Sequence, residues 1–427
     1  MADENTSILV VGGGTFGLST AYHLAKAGYK SITVLEKSPT IPPEMSAGND
    51  LNKIVRAEYE DAFYTGLALE AIEEWKTPLF APYFHQTGYL LANSSKAPEK
   101  SKISLAKALS SISSHPAFRG HIRAVNSRDD IRSIAPVFTG PMRWTGYFNR
   151  YAGYAHASGA LKAVYSACCA LGVDVRLGEG AQSLLFGGEN DNDGPGGNRC
   201  VGVRTASGRE YRADRVVLAL GASLPRLLPQ VGRQVAAKAW SVGHVQLTPS
   251  EASRLRGIPV TYARDLGFFF EPDSETGLLK LCPSGAGYTN FAGAGGAASI
   301  APEESEDWIP EADVARIRAL LRETLPELAD RPLVRTKLCW CADTADSEYV
   351  VDFVPETKGL VVVAGDSGHA FKMLPIVGRW VRDVLEKGRQ DLPRWRWKEG
   401  SDATGGDVSW RVGKVLDLKD VRVSAKL

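Results

Sequence analysis

The N-terminal segment constrains the fold of this chain more strongly than any other stretch. An apolar run over residues 8–11 leads into Gly12, Gly14 and Gly17, then a helical pattern and a second apolar run that ends at Glu36. This is the βαβ fingerprint of dinucleotide-binding domains, whose glycines allow a tight turn, close approach to a pyrophosphate and helix-on-strand packing. Glu36 can accept hydrogen bonds from a ribose 2′-hydroxyl. The segment therefore predicts a bound adenine dinucleotide, either FAD or NAD.

Composition and charge narrow the class of protein. A length of 427 residues indicates two or three domains. With 50 Lys+Arg against 49 Asp+Glu, the net charge of +1 gives no electrostatic case for a nucleic-acid partner. No apolar run approaches the roughly 20 residues that span a bilayer, so no membrane segment is expected. The six cysteines are scattered, and no spacing of His or Cys predicts a disulfide framework or a metal site.

The dinucleotide domain is predicted to be discontinuous. Segments 215–223 and 359–388 each read as a buried strand followed by a glycine turn, whereas residues 233–335 are dominated by alternating strand patterns. The expected fold is α/β with antiparallel β structure, a Rossmann-like cofactor domain into which a substrate-binding domain is inserted. The predicted limits are 1–80, 150–225 and 336–427 for the cofactor domain, and 81–149 and 226–335 for the substrate-binding, catalytic domain.

Four motifs give a more specific resemblance: "GGGTFG" (12–17), "AGNDLNK" (47–53), "LCWCADT" (338–344) and "GDSGHAFK" (365–372). Together they resemble the monomeric sarcosine oxidase group of FAD-dependent amine oxidases, and within it the fungal fructosyl amino acid oxidases, or amadoriases. The resemblance spans almost the whole chain and implies FAD in a flavoprotein fold of the D-amino acid oxidase and glutathione reductase type. Family members oxidise the C–N bond of a secondary amino acid and pass two electrons to oxygen, which yields an imine and hydrogen peroxide.

The resemblance also implies roles for individual residues. Cys339 matches the cysteine that forms a thioether with the flavin 8α-methyl group. Lys280 matches the lysine beside bound oxygen, where a fixed positive charge stabilises developing superoxide. Lys53 matches a basic residue near the flavin ring. Arg56 and Lys372 match the two cations that hold the substrate carboxylate, for which arginine offers a bidentate fork.

Further contacts to the cofactor are predicted on the same basis. His369 is expected to be a flavin neighbour rather than a catalytic base, and Cys341 is expected to face away from Cys339, toward the core. The predicted cofactor-binding residues are Gly12, Gly14, Thr15, Phe16, Gly17, Glu36, Lys37, Asn52, Lys53, Val175, Gly221, Asp366, Gly368, His369, Phe371 and Lys372.

Two departures from the amadoriase pattern concern the substrate. Amadoriases typically carry "C-D-E-H-P-G" after the oxygen-activating lysine, and here Ser284 replaces the acid expected to hold the sugar or amine. The C-terminal segment "WRVGKVLDLKD" is also expected to lack the carboxylate-binding arginine of those enzymes. The leading hypothesis is therefore an oxidase of an N-substituted amino acid: an N-methyl amino acid, pipecolate, saccharopine or a specialised-metabolite amine. The alternatives are a fructosyl amino acid oxidase, an NAD(P)-dependent dehydrogenase and a non-catalytic flavin-binding protein.

The last three residues, Ala425-Lys426-Leu427, approximate the peroxisomal address S-K-L. For an enzyme that produces peroxide they predict recognition by a peroxisomal import receptor, with the cytoplasm as the alternative location. A monomer is expected, with a secondary amino acid and O2 as its small-molecule partners.

Overall fold

The computed structural model describes residues 1–187, 198–291, 298–399, 403, 411 and 413–424. Its α-helices within these ranges are α1 (Thr15–Lys26), α2 (Ala62–Trp75), α3 (Glu99–Ser113), α4 (Arg128–Ile134), α5 (Ala157–Ala170), α6 (Leu224–Leu227), α7 (Pro249–Arg254), α8 (Glu311–Thr324), α9 (Val377–Lys387) and α10 (Leu418–Ser424). Its β-strands are β1 (Ile8–Val11), β2 (Ile32–Glu36), β3 (Asn52–Val55), β4 (Phe84–His85), β5 (Tyr89–Ser94), β6 (Ile122–Val125), β7 (Trp144–Asn149), β8 (Gly153–His156), β9 (Asp174–Leu177), β10 (Ala181–Phe186), β11 (Cys200–Thr205), β12 (Glu210–Arg212), β13 (Arg215–Leu218), β14 (Ala236–Gln246), β15 (Val260–Ala263), β16 (Gly267–Phe269), β17 (Leu278–Pro283), β18 (Tyr288–Thr289), β19 (Val334–Asp343), β20 (Val350–Phe353), β21 (Leu360–Ala364) and β22 (Leu416–Asp417).

A six-stranded sheet forms the cofactor side of the molecule, in the order β20-β21-β13-β1-β2-β9. All neighbours pair in parallel except the edge strand β20. Strands β1 and β21 are buried along their whole length, as expected for a parallel sheet that is covered on both faces. The sheet confirms the Rossmann-like fold, and its strands come from chain segments far apart in sequence.

The turn between β1 and α1 requires glycine at two positions. Gly12 has φ = +111°, and a Cβ atom there would collide with the backbone oxygen of Ala219. A Cβ atom on Gly17 would collide with the backbone oxygen of Gly12. The first glycine thus permits the left-handed turn and the second permits α1 to lie against it, as the motif predicts.

The second layer is a ten-stranded sheet in the order β22-β18-β14-β17-β16-β15-β5-β7-β6, with β19 also paired to β14. Most of these strands come from 81–149 and 226–335. However, β19 pairs antiparallel with β14 over most of its length, although most of β19 follows residue 336. The two layers are therefore joined through β19, which belongs to the large sheet and whose Ala342 N–H donates to Asp366, just after β21 of the parallel sheet. The predicted domain limits themselves stay a prediction.

Hydrophobic cores lie on both sides of this junction. One packs α1, α2, α5 and α9 against the parallel sheet, and another packs α8 against the large sheet. None of the helices in the described ranges combines the length and apolar character that crossing a bilayer requires.

Candidate active site

The glycine turn and its neighbours lie at one edge of the parallel sheet. Gly12 follows β1, Glu36 ends β2, and Asp366 comes just after β21. Gly221 follows β13 with φ = +51°. The carboxyl ends of parallel strands lie at the same edge of a sheet. Strand β1 has β2 on one side and β13 on the other, so the strand order reverses at β1, and a ligand-binding crevice is expected at this point.

This edge fits an adenine dinucleotide. Helix α1 begins after Gly14 without a side-chain cap or an acidic first turn in the described residues, so its first N–H groups can meet a phosphate. Glu36 is buried, and its oxygens accept hydrogen bonds from the N–H groups of Gly13 at 2.7 Å and Ser38 at 2.8 Å. Burial raises the pKa of Glu36. The carboxylate is fixed at the end of β2, and each of its oxygens keeps a lone pair for a ribose hydroxyl.

Lys280 and Lys53 share one buried carboxylate. Lys280 on β17 is 2% exposed, and its Nζ donates to Asp50 Oδ2 at 2.6 Å and to the backbone oxygen of Asn52 at 2.7 Å. Lys53 Nζ lies 2.9 Å from the same Asp50 oxygen. Burial alone would raise the pKa of Asp50, but the ammonium groups of Lys280 and Lys53 lower it well below its usual range. Asp50 therefore stays ionised and fixes two predicted catalytic lysines together.

Cys339 lies at the other end of this cluster. Its Sγ is 3.7 Å from Lys53 Nζ. A hydrogen bond with Cys341 and the charge of Lys53 outweigh burial and lower the pKa of Cys339 to about 5. A lowered pKa favours the thiolate, which is the form of cysteine that acts as a nucleophile.

The expectation that Cys341 faces away from Cys339 is wrong. The two thiols are hydrogen-bonded, and this contact with Cys339 raises the pKa of Cys341 well above its usual value. The physical reason is the period of a β-strand, in which residues two positions apart lie on the same face. Cys341 is thus the protonated donor beside a thiolate.

The cysteine strand is bonded to the "GDSGHAFK" loop. The Ala342 N–H donates to Asp366 Oδ2 at 2.8 Å, and the Ser367 N–H donates to the Ala342 carbonyl at 3.1 Å. The Thr344 N–H donates to Ser367 Oγ at 3.1 Å. Burial raises the pKa of Asp366 to about 6. Two motifs that are separate in sequence therefore form one unit at the edge of the sheet.

The two predicted carboxylate-binding cations also meet. The Lys372 side chain is buried, and the Arg56 guanidinium lies 5.0 Å from the centre of the Tyr59 ring, which is 5.3 Å from Lys372 Nζ. Arg56 donates to the backbone oxygen of Glu58. Burial, and then the charge of Arg56, lower the pKa of Lys372 well below its usual value. A pocket that holds the Arg56 guanidinium beside a second basic side chain, with no carboxylate paired to either among the described residues, favours an anion.

His369 is held as a neutral ring. Its Nε2 lies 2.9 Å from the Ser347 carbonyl oxygen, and its Nδ1 lies 3.1 Å from the Tyr59 hydroxyl. Burial, assisted by the charge of Lys372, lowers the pKa of His369 to about 3. Both nitrogens contact protein groups, which agrees with a supporting role rather than that of a base.

Comparison with known proteins decides the family. The family model DAO, described as FAD dependent oxidoreductase, matches residues 7–384. The chain belongs to this family. It is therefore an FAD-dependent oxidoreductase, and this decides the choice that the glycine fingerprint left open between FAD and NAD.

Individual relatives confirm the amine-oxidase resemblance. L-saccharopine oxidase of Schizosaccharomyces pombe is 34% identical over 437 residues, which cover 97% of this chain and 98% of that protein. Peroxisomal sarcosine oxidase of Mus musculus is 25% identical over 392 residues, which cover 89% of this chain and 92% of that protein. The crystal structure of the deglycating fructosamine oxidase of Aspergillus fumigatus (Amadoriase II) superimposes with a TM-score of 0.86 at 34% identity, covering 98% of this chain and 97% of that one.

The remaining predicted cofactor-binding residues lie on several different elements of the fold. Val175 lies on β9, paired with Val34 of β2, and Lys37 directly follows β2. Phe371 packs with its ring 6.0 Å from that of Trp75, on α2. Their roles toward FAD stay predictions. In the part of the chain that the structure describes, no three His, Cys, Asp or Glu side chains are grouped as metal ligands.

Sequence reasoning missed Asp50, Tyr59 and Arg411 of the flavoprotein. Asp50 had a signal, because it stands three residues before Lys53 in "AGNDLNK". The C-terminal segment, which is expected to lack the carboxylate-binding arginine of the amadoriases, contains Arg411, and its role toward substrate is untested. Arg411 donates to Asp343 Oδ2 at 2.6 Å and to the Ser367 backbone oxygen at 3.2 Å. The Arg411 guanidinium is therefore hydrogen-bonded to the Asp343 carboxylate of the "CADT" segment. Nothing in the sequence around Arg411 indicates this contact.

Proposed function

We propose that this flavoprotein oxidises the secondary amine of an N-substituted α-amino acid to an imine and passes the electrons to O2, forming hydrogen peroxide. The observation that carries the proposal is the meeting of Arg56 and Lys372 beside the "GDSGHAFK" loop. Among the described residues, neither side chain has an ion-pair partner. A substrate carboxylate would pair with Arg56, favour the protonated form of Lys372 and gain charge-assisted hydrogen bonds. It would also bring the neighbouring C–N bond to the same edge of the sheet.

The chain's own residues supply the remaining chemistry. FAD held at this edge would supply the acceptor for two electrons from the substrate and their passage to oxygen. Lys280 keeps a positive charge at a fixed place because Asp50 and the Asn52 carbonyl hold its ammonium, and a preorganised charge stabilises negative charge that develops on oxygen. Cys339, as a thiolate next to Lys53, is the residue that holds the flavin through a thioether at its 8α-methyl carbon.

The position of Ser284 favours an N-alkyl amino acid over a fructosyl amino acid. The residue is 8% exposed, and its hydroxyl has no hydrogen-bond partner in the described part of the chain. An uncharged side chain here cannot supply the carboxylate that the amadoriase pattern places at this point. A saccharopine-like substrate, with a secondary amine between carboxylate-bearing arms, fits the cationic pocket. Deglycation remains the second candidate because the superposition with fructosamine oxidase covers nearly the whole chain.

Location and assembly are inferred separately. Ala425-Lys426-Leu427 lie outside the described residues, and we infer that they bind a peroxisomal import receptor. The motif itself and the peroxisomal name of the mouse relative support this. The cytoplasm is the alternative, and the enzyme acts as a monomer in this proposal.

Peroxide release tests the function directly. The purified holoenzyme is offered saccharopine, pipecolate, sarcosine and a fructosyl amino acid at equal concentrations, with the corresponding primary amino acids as controls. We expect peroxide from one or more of the secondary amino acids and little from the fructosyl compound. Release from the fructosyl compound alone would establish the second candidate, and no peroxide from any of them would refute both.

A further inference from the structure

Lys372 presents an amine with one open hydrogen-bonding position. Its Nζ donates to the Tyr59 hydroxyl oxygen at 2.9 Å and to the His369 carbonyl oxygen at 2.7 Å. His369 Nε2 faces the Ser347 carbonyl, which can only accept, so Nε2 carries the ring proton and Nδ1 accepts. The hydroxyls of Tyr59 and Tyr349 lie 3.1 Å and 3.2 Å from Nδ1 as its donors. Two N–H groups of Lys372 are therefore used, and among the described residues no group occupies its third tetrahedral position, which can hold a lone pair or a third proton.

The surroundings of Lys372 disfavour the third proton before substrate binds. The side chain is 4% exposed and forms no ion pair within the described residues. Within the described ranges, the charged and titratable groups that face it are Arg56, Glu58, Tyr59 and His369. Arg56 opposes a second positive charge, and Glu58 favours one only weakly because burial raises the pKa of its own carboxyl group. A buried ammonium without a counter-ion releases its proton instead of paying the full desolvation cost.

The proposed reaction needs a group that accepts a proton. In solution at neutral pH a secondary amino acid carries a carboxylate and a protonated nitrogen. The C=N bond of the imine forms from the nitrogen lone pair, which a protonated amine lacks. The substrate must therefore lose one N–H proton before its C–H bond is oxidised. A carboxylate that docks between Arg56 and Lys372 supplies the anion that this pocket lacks, and so raises the affinity of Nζ for a proton.

We propose that Lys372 is the base that receives the proton of the substrate amine when the carboxylate docks. The substrate N–H bond breaks with its electron pair left on the substrate nitrogen, and the proton bonds to the lone pair of Lys372 Nζ. No electron leaves the substrate in this step. The resulting lysinium pairs with the carboxylate, while Tyr59 and His369 act as positioning residues that hold Nζ. This inference rests on the proposed function, since it requires a substrate with both a carboxylate and a secondary amine.

Proton uptake on binding of an amine-free carboxylate tests the proposal. (Methylthio)acetate has the carboxylate but no titratable nitrogen, so the proton for Lys372 must come from the buffer. Titration calorimetry of the holoenzyme in buffers of different ionisation enthalpy should show uptake of close to one proton per bound molecule. Affinity should fall by about tenfold per pH unit as the pH rises through the mildly alkaline range. Uptake of no proton, with binding intact, would overturn the inference and leave the proposed function standing.

Variants separate proton transfer from simple charge. Lys372→Arg keeps a permanent cation, so it should bind (methylthio)acetate without proton uptake, and its kcat/KM should rise with pH toward the amine pKa of the substrate. Lys372→Met should bind weakly and without a pH slope, and the surface variant Lys102→Met should match the wild type. An unchanged proton uptake in either Lys372 variant would refute the assignment. If no carboxylate binds and no secondary amino acid is oxidised, the proposed function fails together with this inference.

Discussion

Asp50→Asn isolates the carboxylate that connects the two lysines. The substitution keeps the shape of the side chain but removes the charge that Lys280 contacts at 2.6 Å and Lys53 at 2.9 Å. Lys280 is 2% exposed, so its ammonium would be left in a buried site with only the Asn52 carbonyl and an amide oxygen. Breaking a buried ion pair in this way costs about 3–5 kcal/mol. Lys53 is partly exposed and adds less.

The variant should therefore lose about 3–5 kcal/mol of unfolding free energy in denaturant titrations near neutral pH. Without the Asp50 carboxylate, the Lys280 side chain is also no longer fixed at the place where its charge is proposed to serve oxygen. Stopped-flow reoxidation of the reduced flavin should then be slower than in the wild type. Asp174→Asn is the matched control, because it breaks a surface pair with Arg176 at 2.8 Å and should change the unfolding free energy far less. Equal stability of the two variants, with unchanged reoxidation, would refute the reasoning.

Four further predictions address single residues. Lys280→Met should slow reoxidation by oxygen by about 10²-fold or more while anaerobic reduction by substrate changes much less, and an equal loss in both half-reactions would count against its role. Arg56→Ala should weaken substrate binding by about 2–3 kcal/mol, or about 30- to 150-fold in the apparent constant, and an unchanged constant would place the carboxylate elsewhere. Cys339→Ala should release flavin into the supernatant after acid precipitation. Cys341→Ala should keep flavin in the pellet but attach it more slowly, because the thiolate loses its hydrogen-bond donor. Flavin that stays in the pellet of the Cys339 variant would disprove the attachment site.

The local pattern of the chain was enough for the cofactor turn. The roles of Gly12 and Gly17 can be predicted from the motif because the steric constraint is local to the turn, where a Cβ atom at either position would collide with the backbone. The proximity of Lys280 and Lys53, in contrast, is a tertiary contact that no local sequence pattern predicts. It depends on how β17 of the large sheet packs beside β3, and no periodicity within either segment encodes that distance, so only the family resemblance could suggest it.

Other parts of the site illustrate what sequence reasoning misses. The orientation of Cys341 can be predicted from the period of a β-strand alone. Residues two positions apart lie on the same face, so the expectation that Cys341 faces away from Cys339 does not follow from the strand period. Arg411 could not have been placed, because its contact with Asp343 joins segments 68 positions apart through tertiary packing. Asp50 could have been suspected as a charge partner of Lys53, but its contact with Lys280 spans 230 positions.

Anaerobic reduction of the flavin by a secondary amino acid tests the central claim most directly. The holoenzyme is mixed without oxygen with the best substrate of the peroxide screen, and its visible flavin absorbance is followed before and after an oxygen pulse. We expect the absorbance to bleach as substrate is consumed in equal amount, and oxygen to restore it with release of an equal amount of peroxide. Absorbance that stays unbleached in the presence of every secondary amino acid and fructosyl amino acid tested would contradict the account.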